Sequence, residues 1–329
     1  MQLRQGLRVL RRATDEVQVG LDPRWAVRVD GLTPERAERL LRAGDRRVDD
    51  TLPAPALDAL GAAGLLRPSA RARRVRPDLR PEALAHGLVR ADGDGVAAVR
   101  RRSRATVAVV GLGRAGAVVA TTLAVAGVGT LLLDDPRAPG PQDPVGDGPD
   151  RATALTAALG LLAPRTRVRA SRGADGLLTD PPDAVVTAAT DASDPATALL
   201  LLGADVPHLP VVTREADALV GPFVRPARPG DDPLPCLRCL DLHRAAADPA
   251  WPVVLAQLVS PRVGDRAAEP PAALAAVAGG LAAAEVLAHL DGDDPRTSGA
   301  QYEIEVPSAA PRLRRWTAHE GCGCAALVG

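Results

Sequence analysis

The hydrophobic positions follow two different periods along the chain. In the first 67 residues, apolar and polar residues alternate in short stretches. These stretches predict strands at residues 7–10, 17–21 and 25–29. Thr33, Pro34 and Glu35 then have the features of a helix start: a capping hydroxyl, a proline in the first turn and an acid near the helix's positive end. One helix is predicted from there to residue 43 and a second over residues 54–66, so this region forms a small α+β module.

The second half of the chain has the pattern of a parallel sheet. Residues 106–110 form a continuous β-branched and apolar run, as expected for a strand that is buried on both faces. Helix-like and strand-like stretches then alternate, at residues 115–126, 130–133, 151–162, 168–170, 184–188, 196–202 and 210–213. This alternation predicts an α/β fold with a doubly wound, Rossmann-like, mostly parallel sheet.

Residues 68–104 lie between these regions and are rich in arginine. Pro77, Pro81 and the Asp-Gly turns at 92–95 predict a linker with one or two short helices. The basic run at residues 100–104 is only weak evidence for nucleic-acid binding, because the chain has zero net charge. No nucleic-acid partner is therefore expected. The predicted organisation is a module at 1–67, a linker at 68–104 and an α/β domain at 105–329.

Composition narrows the class of protein further. Aromatic residues make up only 2% of the 329, so the core must consist of Ala, Val and Leu. Every basic residue is arginine, which leaves no lysine for chemistry. The first twenty residues lack the apolar core of a signal peptide. The apolar stretch at 272–290 is interrupted by Gly279, Gly280 and Glu285 and predicts a buried helix. A cytoplasmic protein without a membrane partner is expected.

A glycine-rich turn follows the first buried strand of the α/β domain. Gly111 would allow the tight turn, Gly113 would let the backbone approach a phosphate, and Gly116 would permit close packing of helix and strand. The helix that starts beside Arg114 would direct its free N–H groups at the phosphates. Asp134 ends the next strand and is placed to bond a ribose hydroxyl, although an acid there can also cap the following turn. The pattern predicts a nucleotide site.

Four cysteines form two close pairs. Cys236 and Cys239 form a CxxC motif, and Cys322 and Cys324 form a CxC motif near the C-terminus. In a reducing compartment such pairs indicate a metal rather than disulfides, and four thiolates satisfy tetrahedral Zn²⁺. A zinc-bound C-terminal segment with a structural role is therefore predicted; the alternative is four unrelated buried cysteines. Nearby His243 and His319 are candidates for substitute ligands or for residues that support the ligands.

Motifs over residues 100–325 resemble the ThiF/MoeB superfamily, the relatives of ubiquitin-activating enzymes. The resemblance rests on the turn and strand at 127–135, on Thr190-Asp191 at the end of residues 183–192, and on the Pro-rich approach to Cys236. It implies that ATP binds at the glycine turn with Mg²⁺ held by Asp191, and that a carboxylate of a carrier protein or peptide is adenylated. It also implies a homodimer.

The chain departs from this family where positive charge is needed. Residues 135–142 lack the family's Asn-Leu-x-Arg-Gln stretch, and Arg151 replaces a family lysine. Arg137, Arg151 and Arg114 could supply the charge that a transferring phosphate requires. The candidate catalytic residues are therefore Asp191, Arg151 and Arg137, and loss of adenylation is the alternative.

Residues 5–67 resemble the PqqD-like fold, a winged-helix-like module that binds leader peptides, although a cap that only packs is equally compatible with the pattern. Two hypotheses follow: an ATP-dependent adenylyltransferase, or a catalytically degenerate scaffold that binds a precursor leader peptide and delivers it to a cyclodehydratase partner. A third, an NAD-dependent oxidoreductase, needs a proton-transfer residue near the strand ends. His208 is the one histidine of the Rossmann half, and the pattern favours an ordinary surface or core role for it.

Overall fold

A computed structural model of the chain describes residues 1–43, 47–48, 52–68, 74–144, 146–171, 173, 179–226, 232–260 and 269–324. The chain divides into two compact units, Met1–Arg100 and Arg101–Gly329. The boundary lies inside the helix Gly95–Arg102, in the segment expected to be a linker.

The first unit combines two small antiparallel sheets with helices. Strands β2, β3 and β4 form one sheet, and β1 pairs with β5 in the other. The strands are β1 Gln2–Leu3, β2 Val9–Arg11, β3 Val17–Val19, β4 Val27–Val29 and β5 Leu66–Arg67. The helices are α1 Pro34–Ala43, α2 Ala54–Ala62, α3 Arg80–Val89 and α4 Gly95–Arg102, with a 3₁₀ turn at Pro77–Leu79. Fully buried side chains such as Leu3, Leu40 and Leu60 form its core.

The helix predicted over residues 54–66 is shorter in the structure. It ends at Ala62, because Gly64 adopts a left-handed φ of +68° that an α-helix does not allow. The chain then continues as β5, in which Leu66 pairs with Leu3. Of the two leucines after the glycine, Leu66 is therefore part of a sheet, and neither belongs to the helix.

The second unit is built on one eight-stranded sheet in the order β13-β12-β11-β10-β9-β6-β7-β8. The strands are β6 Thr106–Val110, β7 Thr130–Asp134, β8 Arg167–Ala170, β9 Ala184–Thr190, β10 His208–Arg214, β11 Asp217–Val220, β12 Ala300–Glu305 and β13 Pro311–Arg315. The first five are parallel, which confirms the predicted α/β sheet, and the last three are antiparallel. The helices are α5 Arg114–Val125, α6 Arg151–Leu162, α7 Pro195–Gly203, α8 Leu237–Ala247, α9 Trp251–Val259 and α10 Ala272–Asp291.

Helix α10 is the central core helix of this unit. By length and hydropathy it could cross a membrane, but it packs against α5 and the sheet. A Cβ at Gly279 would lie 2.7 Å from both the carbonyl oxygen of Ala115 and the Cβ of Val118, so the glycine allows α5 to pack closely against α10. At its end, Asp291 forms a fully buried ion pair with Arg102, with Nε–O and Nη2–O distances of 2.9 and 2.6 Å. The prediction of a buried helix agrees with this packing.

Candidate functional site

The order of the parallel strands reverses between β6 and β9. The chain runs from β6 to β7 and β8 on one side of β6, and then crosses to β9 and β10 on the other side. In open α/β sheets, ligands bind in the crevice at the carboxyl ends of the strands at such a point. The glycine turn, Asp134 and Asp191 all lie at this edge, because each follows or ends β6, β7 or β9.

The glycine turn has the geometry that a nucleotide loop requires. Gly111 has a left-handed φ of +85°, and a Cβ there would overlap the carbonyl oxygen of Ala188 in β9. A Cβ at Gly116 would overlap the carbonyl oxygen of Gly111, so helix α5 lies directly on the turn. Gly113 immediately precedes α5 and faces away from the sheet. The turn brings the N-terminus of α5 to the crevice.

A carboxylate of the chain itself lies at this helix N-terminus. The backbone N–H of Arg114 donates to Oε2 of Glu269 at 2.9 Å, and Nη2 of Arg151 donates to its Oε1 at 2.9 Å. A Cβ at Gly113 would lie 2.5 Å from the same Oε1. No sequence pattern singles out Glu269, which lies more than 150 positions after the glycine turn. The N-terminus of α5 thus contacts a carboxylate of the chain itself, as the positive end of a helix dipole favours.

Two adjacent acids lie at the carboxyl end of β7, Asp134 as its last residue and Asp135 after it, and they have different surroundings. Asp134 accepts a hydrogen bond from the N–H of Gly173 at 2.9 Å and is partly exposed. Burial raises the pKa of Asp134, as does the neighbouring charge of Asp135. Asp135 is buried and accepts bonds from the N–H of Leu112 at 2.8 Å and from Arg137. Its burial alone would raise its pKa, but these hydrogen bonds outweigh it and lower the pKa. Asp135 therefore fastens the glycine turn, and Asp134 remains accessible.

The three arginines expected at the site are all near it, and each has acceptors within the chain. Arg137 forms a bidentate ion pair with Asp135, in which Nε lies 2.8 Å from Oδ1 and Nη2 lies 2.8 Å from Oδ2. Arg151, the first residue of α6, contacts Asp135, Asp143 and Glu269. The side chain of Arg114 donates to backbone oxygens of Gln142 and Pro270 at 2.8 and 3.0 Å. The charges of Arg137 and Arg151 are therefore paired with carboxylates of the chain, whereas the Arg114 guanidinium contacts neutral backbone oxygens.

Asp191 lies at the end of β9 in a strained backbone conformation. Its φ is +69°, a region that acidic residues tolerate better than most, and its N–H donates to the carbonyl of Thr213 at 2.8 Å. Its carboxylate has no hydrogen-bond or ion-pair partner among the residues that the structure describes. It lines a cavity of about 30 Å³ with Arg244 and Trp251. A neighbouring cavity of about 440 Å³ shares Arg244 and extends to Trp316.

His208 lies at the opposite end of the sheet. It begins β10, whereas the crevice is at the carboxyl ends of the parallel strands. Its ring is buried with Nδ1 2.9 Å from the carbonyl oxygen of Val206, and burial lowers its pKa. The strand carries His208 to the edge opposite the crevice, so it is an ordinary core histidine and cannot transfer a proton in the crevice.

The four cysteines come together in one cluster. Their sulfurs all lie within 4.8 Å of one another, with distances of 3.9 Å for Cys236–Cys239, 3.6 Å for Cys236–Cys322 and 3.4 Å for Cys239–Cys324. Zn–S bonds of about 2.3 Å in a tetrahedron place sulfurs about 3.8 Å apart, so the donor set fits a zinc ion. The hydrogen bond with Cys236 lowers the pKa of Cys239 to about 4, whereas burial raises that of Cys324 to about 12.

The two nearby histidines make other contacts. Nδ1 of His319 accepts from the N–H of Gly321 at 3.0 Å, and Nε2 of His243 lies 3.0 Å from the carbonyl oxygen of Thr317. Their rings meet edge to face at 4.8 Å. The carbonyl of His319 also accepts from the N–H of Cys322 at 2.9 Å. Both histidines therefore support the turn that carries the second cysteine pair.

The chain has the fold of several solved structures, which agrees with the resemblance of its motifs to the ThiF/MoeB superfamily. Solved structures with this fold include E. coli MccB with ATP, at 15% identity and a TM-score of 0.70, covering 98% of this chain and 99% of that one. E. coli MccB with AMPCPP and MccA has a TM-score of 0.71 at 14% identity, with 99% of both chains covered. PaaA has a TM-score of 0.68 at 16% identity, with 94% and 98% covered. No protein-family model and no curated protein sequence matches the chain.

Proposed function

We propose that this protein is a ThiF-type adenylyltransferase that activates the carboxylate of a peptide or carrier protein with ATP. One observation carries the proposal: the glycine turn presents a helix N-terminus that holds an anion, at the switch point between β6 and β9. The similar fold of MccB, solved with ATP and with MccA, supports a nucleotide and a peptide as ligands.

Each residue of the crevice has a role in this proposal. Gly111, Gly113 and Gly116, with the N–H of Arg114, would hold the phosphates, and Asp134 would bond the ribose. Asp191 would anchor Mg²⁺, which supplies charge stabilisation on the phosphates, since its carboxylate faces a small cavity without a partner in the described part of the chain.

The chemistry is a transfer of AMP. A carboxylate oxygen of the substrate attacks the α-phosphorus of ATP, and the bond from that phosphorus to the pyrophosphate oxygen breaks. The products are an acyl adenylate and pyrophosphate, and no proton changes place. Negative charge grows on the leaving pyrophosphate, where Arg137 and Arg151 could stabilise it. Both arginines would have to exchange a carboxylate partner for phosphate oxygens.

The peptide would be a precursor in the biosynthesis of a modified-peptide natural product or, alternatively, a sulfur-carrier protein. The first unit has a three-stranded antiparallel sheet with helices α1 and α2, an arrangement compatible with a winged-helix-like module for a leader peptide. We propose that it recognises the substrate, and that the protein acts in the cytoplasm as a homodimer.

The cysteine cluster would hold a structural Zn²⁺. All four sulfurs lie within bonding reach of one ion, so no position would remain open for catalysis. The ion would fasten the C-terminal turn to the start of α8.

A second candidate is a scaffold that binds the leader peptide and delivers it to a cyclodehydratase without using ATP. The observation that favours it is the paired state of the arginines. Arg151 alone contacts three carboxylates, which leaves little positive charge for a triphosphate. Residues 135–142 also lack the Asn and Arg-Gln residues of the ThiF/MoeB family, which favours a scaffold as well.

Calorimetry with ATP·Mg²⁺ and, separately, NAD⁺ tests the proposal. We expect heat of binding with ATP·Mg²⁺ only, followed by peptide-dependent exchange of labelled pyrophosphate into ATP with candidate precursor peptides. Binding of ATP without exchange for any peptide would favour the scaffold. Binding of NAD⁺ in place of ATP would overturn the nucleotide assignment.

A further inference from the structure

Glu269 occupies the centre of the anion-binding position. Its two carboxylate oxygens are divided between the N–H of Arg114 at the start of α5 and the guanidinium of Arg151, each at 2.9 Å. Only 13% of its side chain is exposed. A Cβ at Gly113 would lie 2.5 and 2.6 Å from the two oxygens, so the carboxylate fills the space directly in front of the glycine. A phosphate that binds this helix end must use the same space.

The backbone around Glu269 holds the side chain in this position. Its own N–H donates to Oε1 of Gln142 at 3.1 Å. The next residue, Pro270, accepts from Nη1 of Arg114 at 3.0 Å, and Nε of that arginine donates to the carbonyl of Gln142 at 2.8 Å. The guanidinium of Arg114 thus joins the two segments on either side of the carboxylate, and it is turned away from the helix end.

Two guanidinium groups at this edge share three carboxylates while Glu269 is in place. Arg137 contacts Asp135, and Arg151 contacts Asp135, Asp143 and Glu269. Asp135 and Asp143 have other backbone donors, the N–H groups of Leu112 and Gly140. Glu269 is the member of this set whose two oxygens both contact groups that a phosphate would use.

We propose that Glu269 is an internal competitor for phosphate: its carboxylate closes the nucleotide position that the proposed function assigns to this crevice, and ATP binds only by displacing it. The resting protein is then autoinhibited, with Arg151 and the α5 N-terminus already satisfied by the chain. Removing the carboxylate frees the helix end and one of the three carboxylate contacts of Arg151 for an incoming anion, while Arg151 keeps Asp135 and Asp143.

Two substitutions and two probes test this. Glu269→Gln keeps the size of the side chain and removes its charge, and Glu269→Ala also empties the space before Gly113. Glu305→Ala removes an exposed carboxylate from the same unit and serves as the matched control. Inorganic pyrophosphate and ATP·Mg²⁺ are titrated by calorimetry into each protein, and thermal unfolding verifies that each is folded.

We expect Glu269→Ala to bind pyrophosphate about tenfold more tightly than the wild type, or better, with Glu269→Gln in between and Glu305→Ala unchanged. The same order is expected for ATP·Mg²⁺. If pyrophosphate affinity rises but no variant binds ATP, the competitor role stands and the adenylyltransferase proposal falls. If ATP binds all four proteins alike, the nucleotide site stands and the competitor role is overturned. Unchanged pyrophosphate affinity in both folded Glu269 variants overturns it as well.

Discussion

The glycine crevice and the cysteine cluster are both candidate ligand sites, and they differ in what the chain provides. The cluster supplies four sulfurs within 4.8 Å of one another, so a tetrahedral metal ion would fit it with only small shifts of the side chains. The crevice supplies a helix end and arginines whose charges are already met by carboxylates of the chain. The cysteine cluster already has its ligand atoms together for a metal ion, whereas the crevice would have to exchange Glu269 for a phosphate.

The largest effect on stability is expected from the loss of a cysteine in the four-cysteine cluster. Cys239→Ser replaces the most buried thiolate by a poor zinc ligand, so the bound zinc should fall from one per chain to well below half. Because metal binding is coupled to folding, we expect a loss of several kcal/mol, on the order of 10 °C or more in the unfolding temperature. Elemental analysis and thermal unfolding measure both, with chelator-treated wild type as the reference. Full stability of the variant and of the chelated protein would refute a structural metal.

At the crevice, the turn itself should be the most sensitive backbone position. Gly111→Ala combines a left-handed φ with an overlap against Ala188, so we expect a loss of about 2 kcal/mol or more. Gly160→Ala in α6 is the matched control, because a Cβ there meets no atom within 4 Å. Chemical denaturation measures the free energy of unfolding of both. Equal stability of the two variants would contradict the described turn.

Asp135 provides a pH-dependent test of the same turn. Its pKa is lowered in the folded protein, so its contribution to stability is present above the unfolded pKa of about 3.9 and is lost as pH falls through the folded value. Asp135→Asn should cost about 1.5–3 kcal/mol at pH 7, since it weakens hydrogen bonds to a charged group. The difference from wild type should shrink below pH 4. A difference that stays constant from pH 7 to pH 3 would show that the charge of Asp135 does not stabilise the turn.

The smallest effect on stability is expected at Asp191. Asp191→Asn keeps the shape and the tolerance for positive φ, and no partner in the described residues is lost. Under the proposed function, ATP·Mg²⁺ should bind about tenfold more weakly while the unfolding temperature stays within about 2 °C. Asp205→Asn is a suitable control, because Asp205 also has a positive φ. An equal loss of affinity in both variants would remove Asp191 from the site.

Local patterns predicted the parts of the site that depend on neighbours in sequence. The β6 run, the glycines and the terminal acid of β7 lie within 30 residues, so strand, turn and helix could be predicted with their geometry. The two cysteine pairs were predicted as one cluster because four thiolates satisfy one ion, and their sulfurs indeed come together.

Long-range packing decided what the sequence could not predict. The contact of Glu269 with the start of α5 joins positions that are 155 residues apart, and an isolated acid has no pattern that reveals it. The antiparallel strands β12 and β13 carry many charges, so their periodicity gives little signal. The side on which His208 lies follows from strand direction, which the motif alone leaves open.

The most direct test of the central claim compares two glycine variants in one binding experiment. Gly113→Val places a branched side chain before the N-terminus of α5, and Gly160→Val adds the same side chain where no atom lies within 4 Å. Calorimetry with ATP·Mg²⁺ should show binding to the wild type and to Gly160→Val, and none to a folded Gly113→Val. Equal binding of ATP·Mg²⁺ by both variants, or by neither variant nor the wild type, would contradict a nucleotide site at the glycine turn.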